Sequence, residues 1–317
     1  MSDMRIVDDL AHFPQALNYP VMTIGVFDGV HRGHQVILRQ VVKRAQEREG
    51  TSILLTFNPH PQKIISPNNA PPLLQTEHQK NRILEELDLD MIVCLPFTRK
   101  LSLLTPADFA HQILHNHGIR EIHVGSNFRF GHRRSGDIET LKSLGPEFRF
   151  GVYEIEPVYF RGTRISSSYI RNSLREGRVA LVRGLLERPY QIQGTVVRGS
   201  GKGMELGFPT ANLDSENELI PANGVYVTLA HLSGKTYPSV TNVGVRPTLH
   251  ERAQDSPVVE PHLLDFKENI YGKWMKLDFC FRLRAEKKFT GVNELKKQIG
   301  RDVEATRKYL RRIHERV

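Results

Sequence analysis

The chain is 317 residues long, 39% hydrophobic and 25% charged, and its 44 Lys and Arg against 35 Asp and Glu give a formal net charge of +9. That length exceeds one ordinary compact domain, and that apolar content excludes a disordered chain. The positive balance favours anionic partners, whether nucleotides, nucleic acid or a membrane surface, and does not choose among them.

The N-terminal MSDMRIVDDLAHFP mixes acids with apolar residues and has neither the basic start nor the apolar stretch of a secretory signal. Apolar runs such as VMTIGVF at Val21 and SILLTF at Ser52 are far shorter than the ~20 residues a membrane-spanning helix needs. From Val21 to about Gly177 the strand candidates VMTIGVF, SILLTF, MIVCLPF, EIHVG and GVYEIEPV alternate with helical patterns, which predicts a parallel α/β sheet. Between the first two, HQVILRQVVKRAQERE places Val36, Ile37, Val41 and Val42 at helical spacing and reads as a crossover helix. The helical stretch ISSSYIRNSLREGRVALVRGLLER is closed by Pro189, and the domain boundary is placed near Glu187, giving domains 1–187 and 188–317.

Downstream, QIQGTVV, GVYVTLA, TYPSVTNVG, PVVEPHLLDF and MKLDFCFRLR are separated by Gly, Pro and Asn turns and predict a small antiparallel β-barrel. The last segment aligns Leu295, Ile299, Val303, Leu310 and Ile313 on one stripe of a docking helix. Cys94 and Cys280 lie far apart in strand-like runs and read as free buried thiols, so a reducing, cytoplasmic setting without a membrane partner is expected.

The stretch GVFDGVHRGH, residues 25–34, runs from a strand end through a turn at Asp28-Gly29 to a helix start near His34. A strand's carboxyl end meeting a helix N-terminus suits phosphate, because free N–H groups and the positive end of the helix dipole face the ligand. His31 and His34 add donors, and Gly33 between them lets a nucleotide approach the backbone. Two other readings stand beside this one: histidines that cap and pack a helix start, or a metal site with His60, for which no acid or cysteine completes the ligand set.

GVFDGVHRGH resembles the HxGH nucleotidyltransferases, in the form found in bacterial bifunctional riboflavin kinase/FAD synthetases. TFNPHP at 56–61, GSNFRFG at 125–131 and ISSSYIR at 165–171 follow in that family's order. The resemblance implies a Rossmann-like domain in which the FMN phosphate attacks the α-phosphate of ATP and expels pyrophosphate, so that positioning and charge stabilisation carry the catalysis. It assigns catalytic phosphate contacts to His31 and His34, and ATP binding also to Gly25, Phe27, Asp28, Gly29, Asn127, Arg129, Ser166, Ser167 and Arg171. Flavin contacts fall to Asn58, Pro59 and His60. Asn127 stands where many relatives carry aspartate; Arg129 also reads as a surface charge, and Ser166 to Ser168 as a helix N-cap.

In the second half, GTVVRGSGKGMELGFPTAN joins a strand to a glycine-rich loop, but Lys202 is followed by Gly203 rather than Ser or Thr, and the Walker spacing fails. The stretch resembles the riboflavin kinase module, whose PTAN stands at 209–212, followed by NVGVRPT at 242–248 and VEPHLLDFKENIYGK at 259–273. This resemblance implies ATP contacts from Gly201, Lys202, Gly203, Pro209, Thr210 and Asn212, and Mg²⁺ ligation by Thr210 and Asn212. Glu260 would accept the proton of the ribityl hydroxyl as the γ-phosphoryl moves; without the motif it reads as an edge-strand carboxylate facing water. Met204 replaces an arginine common in relatives.

The implied activity is riboflavin to FMN to FAD, with ATP and Mg²⁺, on small-molecule substrates and without nucleic acid. Two alternatives remain at this point: an FMN adenylyltransferase whose barrel binds flavin without transferring phosphate, which Met204 motivates, and a nucleic-acid-binding protein using the basic stretch 307–316.

Overall fold

The computed structural model describes residues 4–199, 201–245 and 257–314, and of Lys202, Ile313 and His314 the backbone alone. The 246–248 part of NVGVRPT and the stripe position of Ile313 therefore lie outside the described residues. The chain forms two compact units, Met1–Pro72 with Glu77–Ser166, and Leu73–Thr76 with Ser167–Val317.

The first unit is built on a six-stranded sheet, β1 (Arg5–Val7), β2 (Pro20–Ile24), β3 (Thr51–Asn58), β4 (Met91–Pro96), β5 (Glu121–Gly125) and β6 (Gly151–Ile155). Its order is β1-β4-β3-β2-β5-β6 and every pair is parallel. Alternate residues of one strand feed opposite faces: Ile53 and Leu55 pack with Met22, Val93 and Val124, while Leu54 packs with Leu38, Val42 and Ile92. Burial on both faces explains why these strands read as continuous apolar runs. The chain leaves β2 toward β3 on one side and later returns to β5 on the other, so the order reverses at β2. In doubly wound sheets ligands bind at the carboxyl edge of such a switch point.

The helix Arg32–Glu47 crosses from β2 to β3 and buries Gln35, Leu38, Val41, Val42 and Ala45. Val36 does not belong to that stripe: it is 39% exposed, because the buried face runs through Gln35 and Leu38 on either side of it. A two-stranded ribbon, β7 (Tyr159–Phe160) and β8 (Thr163–Arg164), follows the sheet.

In the second unit the helices Ser167–Arg175 and Val179–Leu186 are separated by Gly177 at φ +72° and lead into a closed antiparallel barrel. Its strands are β9 (Tyr190–Val197), β10 (Asn212–Ser215), β11 (Gly224–Leu232), β12 (Lys235–Val245), β13 (Pro257–Leu263) and β14 (Trp274–Arg284), in the order β10-β13-β12-β11-β14-β9. The pairings align Val196, Leu213, Val259 and Val243 in one row, and Leu277, Ala230 and Ile192 in another, all of them buried. The helix Val292–His314 packs on β11 and β12, where partly buried Val303 joins Val225, Val240 and Leu264. Its most buried positions are polar: Asp302 accepts from Arg284 at 2.8–3.2 Å, and Thr306 is fully covered. No described helix is long and apolar enough to cross a membrane.

Candidate active sites

Three motifs of the first unit follow three adjacent strands at one edge of the sheet. GVFDGVHRGH follows β2, TFNPHP ends β3, GSNFRFG follows β5, and Gly25 N–H donates to Leu55 O at 3.0 Å to hold the first two side by side. The turn after β2 is tightly wound, with Phe27, Gly29 and Val30 all at positive φ (53°, 85° and 34°). The left-handed region disfavours a β-branched residue, so Val30 stores strain of the kind held where surrounding structure demands a particular backbone path. Asp28 and His31 are 5% and 6% exposed within this turn.

His31 is the N-cap of the helix Arg32–Glu47, its Nδ1 accepting from the His34 N–H at 3.3 Å. An accepting Nδ1 leaves the proton of the neutral ring on Nε2. The His34 ring stacks on it with centroids 3.6 Å apart, and Phe27 backs His34 at 4.7 Å. Gly33 makes room for this stack: a Cβ there would stand 3.2 Å from the His31 ring. Capping and phosphate contact are therefore compatible roles for one residue.

In TFNPHP, exposed Asn58 donates to Glu77 at 2.6 Å, Pro59 follows a cis peptide bond, and His60 caps the helix Pro61–Ile65 by accepting from the Gln62 N–H at 3.0 Å. In GSNFRFG, Phe128 N–H closes a turn on Gly125 O at 2.9 Å and leaves Asn127 exposed, while Arg129 lies 3.9 Å from Asp137. ISSSYIR straddles the two units: Ser166 ends the first, and Ser167 and the buried Arg171 lie on the helix Ser167–Arg175 of the second.

Lys80 belongs to this edge and escaped the sequence reading. It sits on the helix Glu77–Glu85, and its Nζ donates to Val26 O at 2.8 Å and Thr56 Oγ1 at 2.7 Å. Burial pulls its pKa down to about 8, against the charges of Asp28 and Glu77. In the sequence QTEHQKNRILEEL it looks like one more charge on a solvated helix face, and no neighbouring residue type marks it out.

On the barrel, β10 and β13 pair at Leu213 and Val259, and Ala211 N–H donates to Pro261 O at 2.9 Å. Asn212 therefore stands opposite Glu260, and Glu260 pairs with Asn242 on its other side. Residues directly opposite in a ladder project from the same face, so Asn212, Glu260 and Asn242 form a polar row on the barrel's outer wall. The PTAN segment is pinned beside it, since His262 Nδ1 meets Pro209 O at 2.8 Å. The glycine-rich loop lies directly on PTAN: a Cβ on Gly203 would stand 2.8 Å from Thr210 Oγ1, and one on Gly199 would overlap the Asn212 amide at 2.0 Å. Gly201 turns at φ +76°, the backbone of Lys202 opens a four-residue helical turn, and Met204 is 68% exposed.

Residues 14–169 match the family model for FAD synthetase, and residues 186–310 match that for riboflavin kinase. The bifunctional riboflavin kinase/FMN adenylyltransferase of Escherichia coli strain K12 is 35% identical over 98% of both chains. This chain belongs to the bifunctional riboflavin kinase/FMN adenylyltransferase family. The Bacillus subtilis member is 33% identical over 93% of this chain and 94% of its own, and the Pseudomonas fluorescens member 37% over 90% and 92%. A crystal structure described as a macrolide-efflux protein from Streptococcus pneumoniae matches 96% of this chain and 99% of its own, with a TM-score of 0.86 and 26% identity. Membership brings both ATP-dependent activities of the family to this chain: phosphorylation of riboflavin to FMN, and adenylylation of FMN to FAD with release of pyrophosphate.

Proposed function

We propose that the switch-point turn at 25–34 performs the adenylyl transfer and that the outer barrel wall around Glu260 performs the phosphoryl transfer, with the chain divided functionally into 1–187 and 188–317. The observation that carries this reading is the pairing of two differently built sites with two separate family matches, one in each unit. At the first site an FMN phosphate oxygen forms the bond to the α-phosphorus of ATP as the bond to the β-phosphate oxygen breaks. His31 offers Nε2–H to the phosphate oxygens on which charge builds, His34 holds that ring by stacking, and the dipole of the helix Arg32–Glu47 favours the anion. Gly25, Phe27, Asp28 and Gly29 shape the turn, Asn127, Arg129, Ser166, Ser167 and Arg171 add ATP contacts, and Asn58, Pro59 and His60 face flavin.

At the second site Glu260, whose side chain has no hydrogen bond to a described residue, accepts the proton of the ribityl hydroxyl as that oxygen bonds the γ-phosphorus and the bond from that phosphorus to the β-phosphate oxygen breaks, releasing ADP. Gly201, Lys202, Gly203 and Pro209 shape the ATP cradle. Mg²⁺ fits beside Thr210 and Asn212: both offer side-chain oxygens to a hard cation, and both lie under glycines where any Cβ would close the space. When bound, that ion offsets charge on the ATP phosphates. The free thiols Cys94 and Cys280 support a reducing cytoplasmic compartment.

The test is a product assay on His31→Ala and Glu260→Gln, each fed riboflavin and FMN separately with ATP and Mg²⁺. His31→Ala should lose about 10²–10³ in the rate of FAD formation, the size of a deleted oxyanion donor, and still make FMN. Glu260→Gln should still convert supplied FMN and fail on riboflavin. Either substitution abolishing both activities in folded protein would refute the two-site reading.

A further inference from the structure

We infer that Lys80 is a positioning residue for adenylyl transfer, its ammonium group joining the ends of β2 and β3 beneath the HxGH turn. The inference rests on the assignment of that turn to FAD formation. Lys80 Nζ reaches the carbonyl of Val26, the residue immediately before the left-handed Phe27, at 2.8 Å. It also reaches Thr56 Oγ1 at 2.7 Å, on the strand that leads into TFNPHP, and Thr56 itself donates to Val26 O at 3.3 Å. One cation thus closes a three-membered polar knot between two motifs more than twenty residues apart in sequence. The turn that follows Val26 carries strain at Phe27 and Val30 and holds the histidine stack. Anchoring its first carbonyl fixes where that strained path begins, and with it the ring that donates to the phosphates.

A burial-tolerant neutral group would hold the same carbonyl less strongly, so the choice of lysine needs a reason. Hydrogen bonds from a charged donor are about twice as strong as neutral ones, and an Nζ with two neighbouring carboxylates keeps its proton despite desolvation. The groups facing it are Asp28 from the turn, Glu77 from its own helix and Cys94 from β4, whose thiol burial pushes up to about 11 and so keeps neutral. With its own pKa near 8, Lys80 is mostly charged at pH 7 and loses that charge as the medium becomes mildly alkaline.

The same chain carries an internal control, because riboflavin phosphorylation takes place in the other unit. FAD formation from FMN should fall about 10- to 100-fold in Lys80→Met, mainly in kcat, as for loss of a hydrogen bond to a charged group, with FMN formation from riboflavin within twofold of the parent. In the unmodified protein, kcat for FAD formation should decline through pH 8 while FMN formation does not. Lys80→Arg should restore part of the Lys80→Met loss and abolish that alkaline decline, since guanidinium does not titrate there. A level FAD-formation profile between pH 7 and 9 in the unmodified protein, or Lys80→Met active within twofold, would overturn the inference. If His31→Ala leaves FAD formation intact, the site assignment itself fails; if His31→Ala is inactive and Lys80→Met is not, only the role of Lys80 fails.

Discussion

Gly33 illustrates how a motif position can be fixed by a neighbouring ring as much as by a ligand. A methyl group there would stand 3.2–3.3 Å from two atoms of the His31 imidazole, closer than the ring tolerates without shifting by a few tenths of an ångström. Alanine in the first turn of a helix also improves helix propensity, by up to about 1 kcal/mol relative to glycine. Gly33→Ala should therefore separate stability from activity: an unchanged or slightly raised Tm, with FAD formation reduced about tenfold because the donor is misplaced by a fraction of an ångström. FMN formation should be untouched. Parallel melting curves and product assays check both halves, and an equal loss in the two activities would point to unfolding instead. The fixed proton position on His31 has the same origin, since its Nδ1 is occupied by the His34 amide. At this scale the sequence showed the His-Gly-His spacing but not the stack, because ring orientation depends on a backbone path through Phe27 and Val30 that composition does not encode.

Among the elements, β5 carries a buried constellation remote from its motif-bearing end. Glu121, at the first position of the strand and 2% exposed, accepts from Tyr19 Oη at 2.8 Å, from Arg44 at 2.8–2.9 Å and from His123 Nε2 at 3.2 Å. Burial alone would raise its pKa, but the bonds from Arg44, Tyr19 and His123 outweigh this and hold it below the ordinary 4.5. His123 stacks on Tyr153 at 4.8 Å, and burial lowers its pKa below 6.5 against the pull of Glu121. In the unfolded chain His123 takes up a proton near 6.5 while the folded protein resists it, so stability present at pH 7 is lost as the pH falls below that value. Glu121 acts in the same direction at lower pH, its contribution being lost as the pH falls through its depressed folded value. Tm should decline from pH 7 to 5, and His123→Phe, which keeps a flat ring against Tyr153, should flatten that slope; an unchanged slope would remove His123 as its cause. Glu121→Gln should destabilise by about 3 kcal/mol, the low end for breaking a buried pair, because Arg44 retains Glu47 at 3.2 Å. Five of the six sheet strands were legible as apolar runs between helical patterns, as were five of the six barrel strands. The strands β1 and β10 were not: three residues, or four inside PTANLDS, are too few to show a period. The row Asn212, Glu260, Asn242 was hidden for a different reason, since register between distant strands is set by closure of the barrel and leaves no local mark.

For the whole chain, the question is where an independently folding kinase begins. The change from helical to alternating pattern sits at Glu187, yet the helices Ser167–Arg175 and Val179–Leu186 are part of the barrel's own compact unit. The second of them packs on β9 and β14 and buries Val179, Val182, Leu185 and Leu186 completely. Four buried aliphatic side chains at roughly 1.5–3 kcal/mol each amount to about 6 kcal/mol or more. That is comparable to the entire stability of an ordinary domain, about 5–15 kcal/mol. The segment Leu73–Thr76 contributes less: Leu74 is 2% exposed, Leu73 N–H donates to Glu218 at 2.8 Å, and Thr76 Oγ1 accepts from Gln193 at 3.2 Å. A fragment spanning 167–317 should accordingly fold, melt below the full chain, and phosphorylate riboflavin without forming FAD. A fragment spanning 188–317 leaves the apolar strip on β9 and β14 uncovered and should be unfolded or aggregated at 25 °C. Equal melting temperatures for the two fragments would show that the pattern change at Glu187, and not the packing of the helix before it, marks the edge of the kinase.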